Sequence, residues 1–121
     1  MILGQIKNEK DVMLFNRVNR TTNAWDRMSG LLGKSEPKEN EGMLIDRCSM
    51  IHTWFMKFPI DIIFLDSVGR VLSLYEHLYP WKIAINLRAK MVLELRQGMI
   101  KKYGITLSQT LIWQEKPWKH I

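Results

Sequence analysis

A run of soft metal-binding side chains begins at Cys48, in the stretch CSMIHTWFM. Alternate side chains of a β-strand share one face, so a single strand here would align Cys48, Met50 and His52. Thiolate, thioether and imidazole together form the ligand set that Cu(I) prefers. The same row is also typical of a buried core, because Cys, Met and Trp are routinely buried. We favour the core interpretation, keep a metal site as the alternative, and expect no cofactor.

Two carboxylates stand at the edges of apolar runs and are the candidate acid or base groups. Asp61 opens the run IDIIFL, where a buried carboxylate needs a partner such as Lys57 or Arg27. The structural interpretation of Asp61 is a buried ion pair or a hydrogen-bonded carboxylate, and the functional one is an acid/base or ligand-orienting group. Glu94, in MVLEL, is expected to be an ordinary exposed strand residue or a second acid/base group.

Nucleophilic catalysis and nucleotide binding find no support in the sequence. It contains no G-x-S-x-G elbow, no phosphate loop and no G-x-G-x-x-G fingerprint. In a strand, Cys48 and His52 would lie about 13 Å apart, too far for proton transfer. An enzyme therefore remains an open alternative that depends on Asp61, Glu94 or a bound metal.

The net charge of +6 lies entirely in the C-terminal third. Residues 1–76 carry ten basic and ten acidic side chains, whereas residues 77–121 carry eight basic and two acidic ones. Trp81, Trp113 and Trp118 lie among these charges, and basic groups with stackable aromatics can bind nucleic acid. We favour a solvated basic face, because no nucleic-acid motif accompanies the charge, and keep nucleic-acid binding as an alternative.

Length and composition bound the class of protein. A chain of 121 residues, 46% hydrophobic and 25% charged, indicates one folded domain over residues 1–121. One cysteine excludes a disulfide scaffold. No apolar run is long enough to span a bilayer, and the N-terminal MILGQIKNEK does not resemble a signal peptide. We therefore expect a cytoplasmic protein with no membrane partner.

The periodicity of the chain predicts a mainly β fold. Strands are predicted at 12–18, 42–46, 60–66, 71–76, 91–95 and 110–115, and the stretch 48–56 is the remaining strand candidate. The strand at 60–66 is apolar on both parities, which indicates a central strand, and a hairpin joins it to 71–76. Helices are predicted over 22–33 and 99–103, and the tail 116–121 is expected to fray. About seven short strands with one or two helices indicate a compact β-barrel or sandwich.

Four blocks of sequence occur in a distinctive order: RMSGLLGK at 27–34, GMLI at 42–45, CSMIHTWFMKFPIDIIFLDSVGRVLSLYEHLYPWK at 48–82 and KMVLELRQGMIKKYGI at 90–105. Together they resemble the domain of unknown function 192 family over about residues 21–115. The resemblance implies a compact, mainly β fold with a small helix after the first strand, and it carries no established reaction. Leu32 departs from the family's usual methionine, and Ser108-Gln109 replaces its usual glycine–aspartate turn.

These observations favour a binding module over an enzyme. Its partner is expected to be a small ligand or a protein, and its oligomeric state is left open. Polar residues of the motifs adjoin apolar strand starts, which predicts a site where they converge at one end of the barrel or sandwich. The candidate ligand site comprises Arg27, His52, Lys57, Asp61 and Glu94.

Overall fold

A computed structural model describes residues 1–23 and 35–117 and builds them from nine strands and one short helix. In chain order the elements are β1 (Ile2–Asn8), β2 (Met13–Arg20), β3 (Glu41–Asp46), β4 (Met50–His52), β5 (Ile60–Leu65), β6 (Val71–Leu78), β7 (Ile83–Ile85), β8 (Met91–Arg96), α1 (Met99–Lys102) and β9 (Leu111–Glu115). The mainly β class is thereby confirmed. No helix in this part of the chain is long and apolar enough to cross a membrane.

Seven strands form one sheet in the order β6-β5-β8-β3-β2-β1-β9. All neighbours are antiparallel except β2 and β3. The two edge strands, β6 and β9, approach each other at one corner of the sheet. There the Leu111 N–H of β9 donates to the carbonyl of Gly69, just before β6, at 2.8 Å, but the two strands do not pair along their length. Gly69 has a φ of 91°, and a Cβ there would lie 2.1 Å from the Leu111 carbonyl oxygen, so only glycine permits this corner.

A second, two-stranded sheet pairs β4 with β7 and lies over one face of the large sheet. The inward side chains of this small sheet, Ile51 and Ala84, pack with Ile62, Phe64 and Val92 in an apolar cluster that we call the second core. The other face of the large sheet has its own apolar cluster, the first core, which includes residues of α1. Strands β5 and β8 are therefore covered on both faces, which is why IDIIFL is apolar on both parities.

Most predicted elements are present with small changes of boundary. The central strand at 60–66 and its hairpin with 71–76 are confirmed as β5 and β6. Strand β1 was not expected, and β7 lies inside the stretch 77–90 that was expected to be a connection. The helix predicted over 22–33 and the end of the tail, 118–121, fall largely or wholly outside the described residues.

Candidate functional site

Asp61 is fully buried and holds two backbone segments together. One carboxylate oxygen, Oδ1, accepts the His77 N–H at 2.9 Å, and the other, Oδ2, accepts the Ile100 N–H at 2.9 Å. The first bond satisfies the His77 N–H at a point where the pairing of β5 with β6 is irregular. The second satisfies an N–H in the first turn of α1. The expected hydrogen-bonded carboxylate is confirmed. Lys57, suggested as its charge partner, is exposed to solvent instead.

Glu94 is buried, with only 6% of its surface exposed, so the expectation of an exposed strand residue is wrong. In the sheet it lies directly between Met43 of β3 and Ile62 of β5, and all three point into the second core. Asp61 instead pairs with Leu95, which belongs to the first core. The two carboxylates therefore lie on opposite faces of the large sheet and do not form one acid/base pair.

The remaining members of the predicted ligand site are dispersed or lie outside the described residues. His52 and Lys57 are both exposed, the former in β4 and the latter beyond the turn that follows it. Arg27 falls outside the described residues. The structure thus separates Asp61, Glu94 and the exposed pair among three different environments.

The predicted single face through residues 48–56 is wrong. Strand β4 spans only Met50–His52, and a β-turn follows it, in which Met56 N–H donates to the Thr53 carbonyl at 3.1 Å. The turn ends the alternation of faces. Cys48 lies before the strand, and its thiol donates to the Met50 carbonyl at 3.1 Å. Within residues 1–23 and 35–117 there is no group of three His, Cys, Asp or Glu side chains that could hold a metal ion.

The same segment presents an exposed apolar surface that the sequence did not predict. The register pairs Met50 with Ile85 and His52 with Ile83, and all four side chains point away from the core. Neighbouring exposed apolar side chains mark interaction surfaces more often than isolated ones do. Two exposed rings, Phe55 and Trp81, extend this surface beyond the end of the small sheet where His52 pairs with Ile83. We define the aromatic face as Met50, His52, Phe55, Trp81, Ile83 and Ile85.

Two turns carry the rings of the aromatic face, and both use a strained backbone. Phe55 and Trp81 each occupy the third position of a turn, with φ of 65° and 67°. Glycine or asparagine is usual there, because a Cβ in the left-handed region costs roughly 1–2 kcal/mol. Pro80, which precedes Trp81, fixes the second position of its turn. The chain thus places large aromatic residues where its backbone favours small ones.

Hydrogen bonds from the buried Thr53 join the two turns. Its hydroxyl donates to the Tyr79 carbonyl at 2.6 Å and accepts the Lys82 N–H at 2.9 Å. Its carbonyl accepts the N–H of Trp81 at 3.1 Å. The side chain is completely buried. One threonine therefore fixes the relative position of the two rings.

Two ring contacts restrain the exposed aromatic side chains. The Phe55 and Trp81 rings meet edge to face, with centroids 4.8 Å apart. The rings of His52 and Trp54 lie 5.0 Å apart at 38°. Such pairs contribute about 0.5–1.5 kcal/mol beyond their buried area, which restrains the rings even in water.

The surroundings of the aromatic face are basic. The two segments that build it, 47–59 and 79–90, contain no acidic residue. They contain five exposed basic ones, Arg47, Lys57, Lys82, Arg88 and Lys90, of which Arg47 lies at the polar cavity beside β2 and Trp113. The charged side chains of these two segments therefore favour an anionic partner.

The basic C-terminal third does not form one surface. Trp113 packs against the first core and donates its indole N–H to the Val18 carbonyl at 3.0 Å. Trp81 instead precedes β7 and the second core. Trp118 lies outside the described residues. The two described tryptophans therefore cannot act together as a stacking platform.

A polar cavity of about 610 Å³ lies beside β2 and Trp113. Its charged lining residues are Arg20, Asp46 and Arg47, and Arg20 donates two hydrogen bonds to Asp46, at 2.7 and 2.8 Å, and lies over the Trp113 ring. The hydrogen bond to Asp46 raises the pKa of Arg20 above its ordinary value. Because its charge is already paired, Arg20 is less available to a ligand than the exposed cations beside the aromatic face.

Comparison with known proteins identifies the family. The DUF192 family, described as an uncharacterized ACR, matches residues 5–113, and the chain belongs to this family. The resemblance in the sequence is thereby confirmed. No curated protein matches the chain.

Two solved structures share the fold. One, from Sinorhizobium meliloti, bears the name "putative transcription regulator" and has a TM-score of 0.82 and 22% identity, covering 92% of this chain and 93% of its own. The other, a protein of unknown function from Novosphingobium aromaticivorans, has a TM-score of 0.75 and 21% identity, covering 92% and 84%. At these identities the likeness concerns the fold alone.

Proposed function

We propose that this protein is a binding module that docks a partner through the aromatic face. The observation that carries this proposal is the pair Phe55 and Trp81, which touch each other and remain 65% and 61% exposed on a strained backbone. Folding alone favours smaller residues at both positions. Contact with a partner gives the rings a role that compensates for the strain.

The composition of the face agrees with docking. Trp, Tyr, Phe and Met are enriched at the centres of interfaces, where they bury large areas at low entropic cost. Thr53 and the Phe55–Trp81 contact hold the rings in place before a partner arrives. Less conformational entropy is then lost on binding.

The alternative functions have weaker support. An acid/base enzyme would use Asp61 or Glu94, but the carboxylate of the former is occupied by two backbone N–H groups and the latter lies on the other face. Nucleic-acid binding would agree with the name of the Sinorhizobium protein. However, the two tryptophans that would stack on bases, Trp81 and Trp113, lie in different parts of the molecule. The lone thiol of Cys48 agrees with a reducing compartment, and we place the module in the cytoplasm as part of this proposal.

Photo-crosslinking in living cells tests the proposal. A benzophenone side chain replaces Ile85, at the end of the face opposite the two rings, and a matched control carries it at Val68, which is exposed in the turn between β5 and β6. We expect an adduct from position 85 that position 68 does not give, identified by mass spectrometry as protein or phospholipid. Equal labelling from both positions, or none from position 85, would contradict docking through this face.

A further inference from the structure

We infer that the partner of the aromatic face is the surface of an anionic lipid bilayer. This inference rests on the proposed function and names the chemistry of its partner. The chain would lie on the membrane, with its rings at the level of the headgroups, and would not cross it. Such contact needs no long apolar segment, so the lack of a spanning run, which led to the expectation of no membrane partner, does not oppose it.

The charged side chains of the two segments that carry the face are all basic. Lys82 and Arg88 flank the exposed residues of β7, and Lys57 follows the turn that carries Phe55. No acidic residue interrupts either segment. The cytoplasmic leaflet is negatively charged, and each Lys or Arg near it strengthens attachment about fivefold. A positive rim on an apolar face is therefore complementary to this leaflet.

The apolar side chains are of the kinds that enter the headgroup region. Trp and Tyr are enriched at membrane interfaces because one end is apolar and the other polar. Here Trp54, Tyr79 and Trp81 accompany aliphatic side chains, of which Leu87 is the most exposed. Four of these exposed residues lie outside the strands, in connecting segments. They can enter a soft planar surface without a pocket in the partner.

The geometry of the rings disfavours a single-stranded nucleic acid. Nucleobases stack on free aromatic faces, but the Phe55 and Trp81 rings meet at 62°, with the edge of one against the face of the other. Exposed aliphatic residues such as Ile83 and Ile85 offer no stacking surface. The cavities of about 610, 170 and 140 Å³ are lined by residues outside the aromatic face, so none of these clefts supplies a groove there.

Vesicle co-sedimentation with the full chain tests the inference. The probes are vesicles of phosphatidylcholine alone and vesicles in which one-third of the lipid is phosphatidylglycerol. We expect binding to the anionic vesicles at least about tenfold stronger than to the neutral ones, weakened by salt, with a blue shift of tryptophan emission. The double variant F55G/W81G should lose the blue shift and most of the binding.

Charge-matched variants distinguish attraction by the cations beside the aromatic face from attraction by the net charge of the protein. K82Q/R88Q removes two cations beside the face, and K10Q/K101Q removes two exposed cations elsewhere. We expect the first pair to weaken binding by about 25-fold and the second by less than about twofold. Equal losses would show attraction by net charge alone and would overturn the inference.

Other outcomes would overturn the inference, and crosslinking in cells shows whether the proposed function fails with it. No binding to anionic vesicles at low salt, or tighter binding to an oligothymidylate than to the vesicles, would exclude the bilayer as the partner. If position 85 still gives a specific protein adduct in cells, docking stands and only the lipid assignment fails. If position 85 gives no adduct either, both proposals fail.

Discussion

The rings of Phe55 and Trp81 meet edge to face at 4.8 Å, although the residues lie in different turns and both have left-handed backbones. Neither ring belongs to one of the two cores. The contact is instead positioned by the buried Thr53, which bonds to the turn that carries Trp81. A rigid aromatic pair outside the core is a feature of recognition rather than of folding.

The strain at Phe55 gives a test of stability that runs opposite to the usual effect of glycine. Replacing Phe55 by glycine relieves roughly 1–2 kcal/mol of left-handed strain, which offsets the lost ring contact and the entropy of glycine. Tyr79 is the matched control, because it is 61% exposed but has an ordinary φ. We expect F55G to unfold with a free energy about 1 kcal/mol higher than Y79G in urea titrations. A lower value for F55G would show that the ring serves the fold.

The Thr53 hydroxyl should be essential to the arrangement of the two turns. Replacing Thr53 by valine preserves shape but leaves the Lys82 N–H and the Tyr79 carbonyl without this partner. We expect T53V to lose about 2 kcal/mol of unfolding free energy. T53S retains the hydroxyl and should lose only about 1 kcal/mol, from the missing methyl group. Equal losses in the two variants would mean that packing, and not the hydrogen bonds, accounts for the effect.

Asp61 should contribute to stability and not to docking. An asparagine there offers one acceptor oxygen where the His77 and Ile100 N–H groups require two. We expect D61N to lower the free energy of unfolding by about 2–3 kcal/mol. Crosslinking from position 85 should persist at temperatures where the variant remains folded. A stable D61N protein without crosslinking would assign Asp61 to the functional site instead.

The ion pair of Lys102 and Glu39 connects α1 to the segment before β3 and predicts a pH dependence. Their hydrogen bond lowers the pKa of Glu39 below 4.5 and raises the pKa of Lys102 above 10.5. The stabilisation from Glu39 is thus present above pH 4.5 and is lost as the pH falls through the lowered value. The contribution of Lys102 is complete below pH 10.5 and is lost as the pH rises through the raised one.

A double-mutant cycle of E39Q and K102M measures this coupling directly. We expect a small coupling at neutral pH that disappears in acid and is reduced by salt, because both side chains are exposed to solvent. A coupling that persists unchanged in acid would show that the two side chains interact through packing instead of charge.

The sequence predicts the large sheet well, because alternation and apolar runs report local environment. The run IDIIFL is apolar on both parities, and β5 is indeed covered on both faces. The alternation of side chains along the strand correctly places Glu94 on the opposite face of the sheet from Leu93. It could not show that this face is also buried, because the covering layer comes from distant β4 and β7.

The aromatic face escaped prediction for two physical reasons. Strand β7 has only three residues, IAI, which is too short to show a period. Pro80 predicts a turn, but the usual signal for its third position is glycine, and the chain has Trp81 there. Phe55 and Trp81 stand at turn positions that usually carry glycine, and this departure was the one signal of the face. Such departures concentrate at functional sites.

The most direct test of docking combines stability with crosslinking in one protein. Benzophenone is placed at Ile85 in the F55G/W81G variant, and the unfolding free energy and the adduct yield are measured together. We predict a protein at least as stable as the original whose adduct yield falls by about tenfold or more. An undiminished adduct from a fully folded variant would contradict the claim that these two rings form the docking surface.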